Sequence, residues 1–142
     1  MISMDMFIDA EGCIAGRLAS VTAKELLKGN RVYIVNAEKA VLSGNPKHSV
    51  RSMREKAERG DPYHGPFYPR RPDQVVKRFV KGMLPDSPRG REALKGLRVF
   101  LSVPPELREK ELRKPEEARN ELKGKHMSLG RLAERVGTKR TW

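Results

Sequence analysis

The residues best suited to chemistry lie within positions 63–71, where Tyr63, Phe67 and Tyr68 precede Arg70 and Arg71. Aromatic rings and guanidinium planes stack on unpaired nucleotide bases, and guanidinium groups also bind phosphate. Prolines in the same segment restrict the backbone and reduce the entropy lost on binding. The pattern favours contact with a polyanion that exposes bases. In the alternative interpretation, Phe67 and Tyr68 pack into the core and the arginines are only solvated.

A second group of cations follows at helical spacing. Lys77, Arg78 and Lys81 would share one side of a helix, and Arg89 and Arg91 come soon after it. Acidic residues are scarce between positions 70 and 91, so the cations repel one another unless a polyanion neutralises them. A cationic face that is merely solvated is the alternative here too.

The cations are unevenly distributed along the 142 residues, whose 30 Lys and Arg and 18 Asp and Glu give a net charge of +12. Residues 1–46 are neutral, with five basic and five acidic side chains, whereas residues 47–91 hold twelve basic and five acidic ones. Such a surplus indicates a polyanionic partner, either nucleic acid or an anionic membrane surface.

We therefore predict that residues 47–91 bind RNA, and that they do so chiefly through phosphate contacts. The predicted RNA-binding residues are Lys47, Arg51, Arg54, Arg59, Tyr68, Arg70, Arg71, Lys77, Arg78, Lys81, Arg89 and Arg91. Gly90, between two arginines, would also let the backbone approach a phosphate closely.

The other reactive residue types form no recognisable metal-binding or catalytic group. The histidines His48, His64 and His126 are far apart and lack metal-ligand spacing, and the single cysteine, Cys13, has no acid–base partner nearby in sequence. We expect no metal, no cofactor and no small-molecule substrate. One cysteine also excludes an internal disulfide, which favours a reducing, cytoplasmic location.

The rival hypothesis is an enzyme that binds a nucleotide or a phosphorylated substrate at the glycine-containing turn 12–17. This turn follows a strand and opens a helix, but it matches neither the dinucleotide nor the P-loop fingerprint. A basic membrane-surface protein is a third hypothesis. It is disfavoured because the helix predicted at 73–84 needs its apolar side to cover a sheet.

Hydrophobic periodicity predicts an α/β fold in one domain, residues 1–142. Residues 1–46 read as a strand at 6–8, a helix near 15–26 and a strand at 32–35, which implies a parallel pair with a helical crossover. A short apolar run at 40–42 and another strand at 99–103 follow. Helices are predicted at 46–60, at 73–84 and at 128–136, the last with Ser128 as its N-cap. Residues 61–72 form a proline-rich loop, and residues 104–126 form a charged surface excursion that could order only on binding.

Several segments resemble the universal large-subunit ribosomal protein thirteen family, in its archaeal more than its bacterial form. They are 9–10 (DA), 13–20 (CIAGRLAS), 35–41 (VNAEKAV), 43–44 (SG), 70–73 (RRPD), 80–85 (VKGMLP), 89–93 (RGREA), 98–101 (RVFL) and 141–142 (TW). The resemblance implies a three-layer α/β/α domain around a four-stranded, mainly parallel sheet, with basic extensions. It also implies a non-enzymatic protein that binds large-subunit ribosomal RNA beside neighbouring ribosomal proteins and aids early assembly.

Overall fold

The computed structural model describes residues 3–142, and its centre is a three-stranded parallel sheet. The sheet consists of β1 (Asp5–Asp9), β2 (Arg31–Val35) and β3 (Leu97–Val99), in the order β1-β2-β3. Ile8 pairs with Ile34, and Ile34 pairs with Val99 on the next strand. The parallel pair predicted for the first third of the chain is confirmed.

A two-stranded antiparallel sheet lies beside it. It joins β4 (Val41–Ser43) to β5 (His126–Ser128), with Leu42 opposite Met127. The α/β class is therefore confirmed, but the expected four-stranded sheet is wrong, because the strands divide into sets of three and two. The division arises after β2, where a 3-10 turn at Ala37–Lys39 redirects the chain away from the parallel sheet.

Five helices complete the described chain: α1 (Ala15–Leu27), α2 (Pro46–Glu58), α3 (Pro72–Met83), α4 (Pro88–Leu94) and α5 (Leu129–Val136). Further 3-10 turns lie at Pro105–Leu107 and Glu116–Ala118. Helix α4 was not predicted. The sequence nevertheless contains the signals of a helix start. Ser87 is the N-cap, and Pro88 occupies the first turn, where a missing amide hydrogen costs nothing.

The core lies between one face of the parallel sheet and helices α1 and α3. Ile8, Val32 and Ile34 point into it from the strands, and Leu18 and Val76 from the helices, all at 0–1 % exposure. Burying each such side chain contributes roughly 1.5–3 kcal/mol, so this packing is the main source of stability. On the opposite face, the half-buried rings of Phe7 and Tyr33 stack with centroids 5.1 Å apart. The three-layer arrangement stays a prediction.

Helix α3 follows its predicted pattern closely. Val75, Val76 and Val80 are buried, whereas Met83 is 46 % exposed. The helix ends there because Pro85 favours an extended conformation at Leu84, whose φ and ψ are −88° and 150°.

The strand predicted at residues 99–103 lies instead at Leu97–Val99. Past the end of the strand, the Phe100 amide still donates to the Ile34 carbonyl at 2.7 Å, and the Ser102 carbonyl accepts from the Asn36 amide at 3.0 Å. Glu38, a buried carboxylate, accepts hydrogen bonds from the Ser102 amide at 3.0 Å and from its hydroxyl at 3.3 Å. Ser102 adopts a left-handed φ of 54°, which a continuing strand would not allow.

Residues 104–126 take part in the fold as well as carrying charge. The Arg113 amide donates to the Phe7 carbonyl at 2.9 Å, and the Arg113 carbonyl accepts from the Asp9 amide at 3.0 Å, next to the edge of β1. Ala118 is fully buried in the core cluster. Helix α5 begins as predicted, with the Ser128 hydroxyl accepting from the Arg131 amide.

Candidate nucleic-acid interface

Helix α2 presents the first group of predicted contacts. Asn45 caps the helix by accepting a hydrogen bond from the Lys47 amide at 3.1 Å, and Pro46 sits in the first turn. Met53 is the helix's only buried residue, so most of its length faces solvent. Lys47 and Arg51 are exposed there, as the sequence predicted.

Two arginines of α2 make different side-chain contacts. The side chain of Arg51 is 82 % exposed and forms an i,i+4 ion pair with Glu55 at 3.2 Å. The Arg54 guanidinium donates instead to the main-chain carbonyl of Arg135, near the end of α5, at 2.8 Å. Arg54 therefore ties α2 to α5. Arg135 joins Lys47, Arg51 and Arg54 in lining a shallow groove, which Glu55 and Glu58 also line. Sequence reasoning missed Arg135 because it is 81 residues away along the chain.

Tyr68 joins α2 to α3. Its half-buried ring packs against the core cluster. The Lys56 ammonium lies 5.4 Å and the Arg78 guanidinium carbon 4.6 Å from the ring centroid, both within cation–π range. The ring thus gathers cations from two helices. Lys56 was not among the predicted contacts, since only the tertiary fold brings it to Tyr68.

The start of α3 orients one predicted arginine. Arg71 is the N-cap residue, and its guanidinium lies 3.2 Å from the carboxylate of Asp73, whose side chain is only 10 % exposed. Asp73 also sits in the first turn, where the helix dipole favours a negative charge. Arg59 at the end of α2 and Arg70 just before α3 are both exposed, and Lys77 within α3 is half-buried.

A groove of about 800 Å³ lies between α3 and α4, lined by Arg78, Lys81 and Arg91 together with Asp86 and apolar residues. Arg91 approaches Asp86 at 4.0 Å, a weak contact because both side chains are exposed. Arg78 reaches both this groove and the Tyr68 ring, so Lys56, Arg78, Lys81 and Arg91 form a band that crosses α2, α3 and α4. Lys47, Arg51 and Arg54 line the separate groove beside α5. We call the band, Tyr68 and these three residues together the cationic surface: Lys47, Arg51, Arg54, Lys56, Tyr68, Arg78, Lys81 and Arg91.

Arg89 lies apart from this band. It lines a different hollow, beside the end of α1 and the start of β2, with Leu26 and Asn30. Gly90, between the two arginines, is buried, and a side-chain carbon there would overlap the Pro85 carbonyl. The glycine is therefore required by packing inside the protein. Because Gly90 also lines the groove between α3 and α4, the phosphate approach expected there stays a prediction.

The turn at 12–17, the candidate nucleotide site of the rival hypothesis, is occupied by the chain itself. The Gly12 amide donates to the Lys39 carbonyl at 3.3 Å, and the Ile14 amide donates to the Ala118 carbonyl at 2.7 Å. A phosphate cradle needs such amides to point at the ligand. Residues 116–118 instead cover the start of α1, which argues against this site.

Cys13 is equally unsuited to nucleophilic chemistry. Burial raises the pKa of its thiol, the Asp9 carboxylate adds to the rise, and the cations Lys114 and Arg119 oppose it. The reactive thiolate is therefore disfavoured at neutral pH.

Within residues 3–142, no cluster of three or more His, Cys, Asp or Glu side chains has the geometry of a metal site. The helices of the same part of the chain are all too short or too polar to cross a membrane.

The fold and the cationic surface define a small, basic α/β protein whose neutral core carries a band of Lys and Arg. The chain belongs to the ribosomal protein L13 family, whose model matches residues 3–106.

Three relatives extend the similarity beyond residue 106, and each is named large ribosomal subunit protein uL13. The protein from Methanosarcina barkeri is 45 % identical over 136 residues, covering 93 % of this chain and 97 % of the relative. That from Archaeoglobus fulgidus is 48 % identical over 128 residues, covering 89 % and 82 %. That from Aeropyrum pernix is 44 % identical over 142 residues, covering 95 % and 91 %. All three organisms are archaea, in agreement with the archaeal character of the sequence.

Proposed function

We propose that this chain is a structural, non-enzymatic constituent of the large ribosomal subunit, which binds large-subunit ribosomal RNA in the cytoplasm and aids early assembly. Its partners are that RNA and neighbouring large-subunit proteins. The names of the relatives and the family membership support the subunit. The RNA contact rests on the chain's own surface.

The observation that carries the proposal is the band of Lys56, Arg78, Lys81 and Arg91, which crosses three helices. Tyr68 holds Arg78 of α3 near Lys56 of α2, and Arg78 continues into the groove that contains Lys81 and Arg91. A continuous band of this kind suits a phosphate backbone, whose charges recur every few ångströms. Cations that are only solvated would not need to be held side by side in this way.

In this proposal the two segments of the chain have different roles. Within one domain spanning residues 1–142, the neutral segment 1–46 supplies much of the core, and segment 47–91 carries most contacts with RNA. Each predicted cation contacts a phosphate or stacks on a base, so losing one weakens binding modestly and with little sequence preference. Tyr68 acts through the cations that it holds as much as through its own ring.

The membrane hypothesis fits the structure poorly. Most of the apolar face of α3 that a bilayer would need is covered, because Val75, Val76 and Val80 are buried in the core and Phe79 is half-buried. A membrane-surface helix requires that face to be free.

The test is the salt dependence of binding to the large-subunit ribosomal RNA of Methanosarcina barkeri, measured by filter retention. If about six phosphates are neutralised, log K should fall with log salt at a slope of roughly −4 to −5. An affinity that does not change with salt would refute the proposal. As a second readout, the protein should sediment with the large subunit through a moderate salt wash.

A further inference from the structure

Two aromatic side chains stand in solvent on the loop between α2 and α3. Tyr63 is 89 % and Phe67 71 % exposed, more than any other large hydrophobic side chain among residues 3–142. Neither belongs to the predicted contact set, which named only the half-buried Tyr68. Two large rings exposed together on one loop indicate a binding surface more strongly than single exposed side chains do.

The loop holds these rings on a closed backbone. Asp61 and Gly65 exchange two main-chain hydrogen bonds, at 3.2 and 2.9 Å. The Asp61 carboxylate also accepts from the Tyr63 amide at 3.0 Å, and its other oxygen lies 3.4 Å from Nδ1 of His64. A segment closed in this way loses little conformational entropy when it binds.

Glycines at both ends of the closed segment make this geometry possible. Gly60 has a φ of +98°, and a side-chain carbon there would overlap the Gly65 carbonyl. The Phe67 ring packs over Gly65, since a side-chain carbon on that glycine would lie 3.2 Å from two ring atoms. The Phe67 ring therefore contacts the loop backbone at Gly65 and leaves most of its surface in solvent.

The surroundings of the rings are cationic. Arg59 and Arg70 flank the loop in sequence and are exposed, and Lys56 and Arg78 lie nearby at Tyr68. An apolar protein surface would leave these charges unpaired, whereas a nucleotide offers a flat ring for each aromatic side chain and a phosphate for the arginines. Charge complementarity therefore favours RNA as the occupant.

We infer that the loop at residues 60–67 is a stacking site for unpaired nucleotides, with Tyr63 and Phe67 each covering the face of a base. This inference rests on the proposed function and deepens it. The bases of a duplex already stack on one another, so the loop selects a single-stranded or looped stretch of RNA. The cationic surface binds phosphates whether or not the bases are paired.

The experiment compares two RNA probes by fluorescence anisotropy with the full chain. One probe is an unpaired mixed A and C strand of about 12 nucleotides, and the other is a duplex of about the same length. The double variant Tyr63→Ala with Phe67→Ala should bind the unpaired strand at least about tenfold more weakly. Its affinity for the duplex should stay within about twofold, and its salt slope should not change because no charge is lost.

The matched control is the double variant Tyr63→Phe with Phe67→Tyr, which exchanges the rings and keeps both aromatic faces. It should bind the unpaired strand as the parent protein does. Circular dichroism should show equal melting temperatures for parent and variants, since both side chains are exposed.

Three outcomes would overturn the inference or its basis. If the alanine variant binds both probes as the parent does, the stacking site is refuted, while salt-dependent binding of the parent leaves the proposed function standing. If that variant keeps RNA affinity but fails to enter large-subunit particles, the loop contacts a protein and the inference is wrong. If the parent binds neither probe nor the ribosomal RNA, the proposed function itself fails.

Discussion

Residues 1–46 and residues 47–91 use their side chains in opposite ways. In the first segment, α1 buries Ala15, Leu18 and Leu26 against the sheet, and the segment carries no net charge. In the second, α2 buries only Met53, and the cations it exposes depend on a few anchors. Helix α3 of the second segment also packs Val75, Val76 and Val80 into the core, so the contrast is sharpest between α1 and α2. We expect stability to depend on the packed side chains and binding to depend on the exposed cations. A change in one should leave the other nearly untouched.

The largest effect on stability is expected from a substitution in the core. Leu18 is fully buried, so Leu18→Ala removes its packing and leaves a cavity, lowering the free energy of unfolding by about 2–5 kcal/mol. Urea denaturation measures the loss. At temperatures where the variant is still folded, its salt slope for ribosomal RNA should equal that of the parent. A changed slope would show that the two segments are not separable.

A smaller effect is expected at the junction of the two segments. Asn45 caps α2 through the Lys47 amide, so Asn45→Ala should cost about 1 kcal/mol of stability, seen as a lower melting temperature. Asn45→Asp, which retains the capping oxygen, is the control and should cost much less. Equal losses in the two variants would mean that the cap does not hold α2.

The smallest effect concerns the buried thiol. Its pKa is raised mainly by burial, so the protonated form is favoured in the folded protein. The resulting stabilisation is fully present below the ordinary thiol value of 9.0 and is lost as the pH rises through the folded-state value. Cys13→Ala should remove this loss from a stability profile measured between neutral and alkaline pH. A thiol reagent should react with the native parent protein far more slowly than with the unfolded chain.

The sequence predicts best where periodicity decides the structure. The apolar spacing of α1 and α3 places both helices within a few residues of their observed ends, because each helix must bury that face on the sheet. The Ser128 cap similarly fixes the start of α5.

Prediction from the sequence fails where contacts between residues far apart in the chain determine the structure. The apolar run 99–103 looks like a strand, but the strand ends at Val99, and Ser102 takes a left-handed φ while it donates to Glu38, 64 residues away. β4 and β5 likewise pair across most of the chain, at Val41 and Ser128. No local pattern contains these contacts.

The candidate interface likewise combines features that local sequence predicts with features that depend on tertiary contacts. The exposure of Arg51 and Lys81 follows from their helical positions. The anchoring of Arg54 on the Arg135 carbonyl, and of Arg78 on the Tyr68 ring, depends on tertiary packing. The segment 63–71 was recognised as aromatic and basic, yet composition could not tell which rings would be exposed and which would be packed.

The most direct test of the cationic surface compares two triple variants that lose the same charge. One carries Lys47→Ala, Arg51→Ala and Lys81→Ala on the cationic surface, and the other carries Arg17→Ala, Lys24→Ala and Lys28→Ala on the exposed side of α1. If the surface binds phosphates, the first variant should flatten the slope of log K against log salt for the ribosomal RNA by about 2–3. The α1 variant should keep the parent slope. Equal slopes in the two variants would contradict the account, because net charge alone would then govern binding.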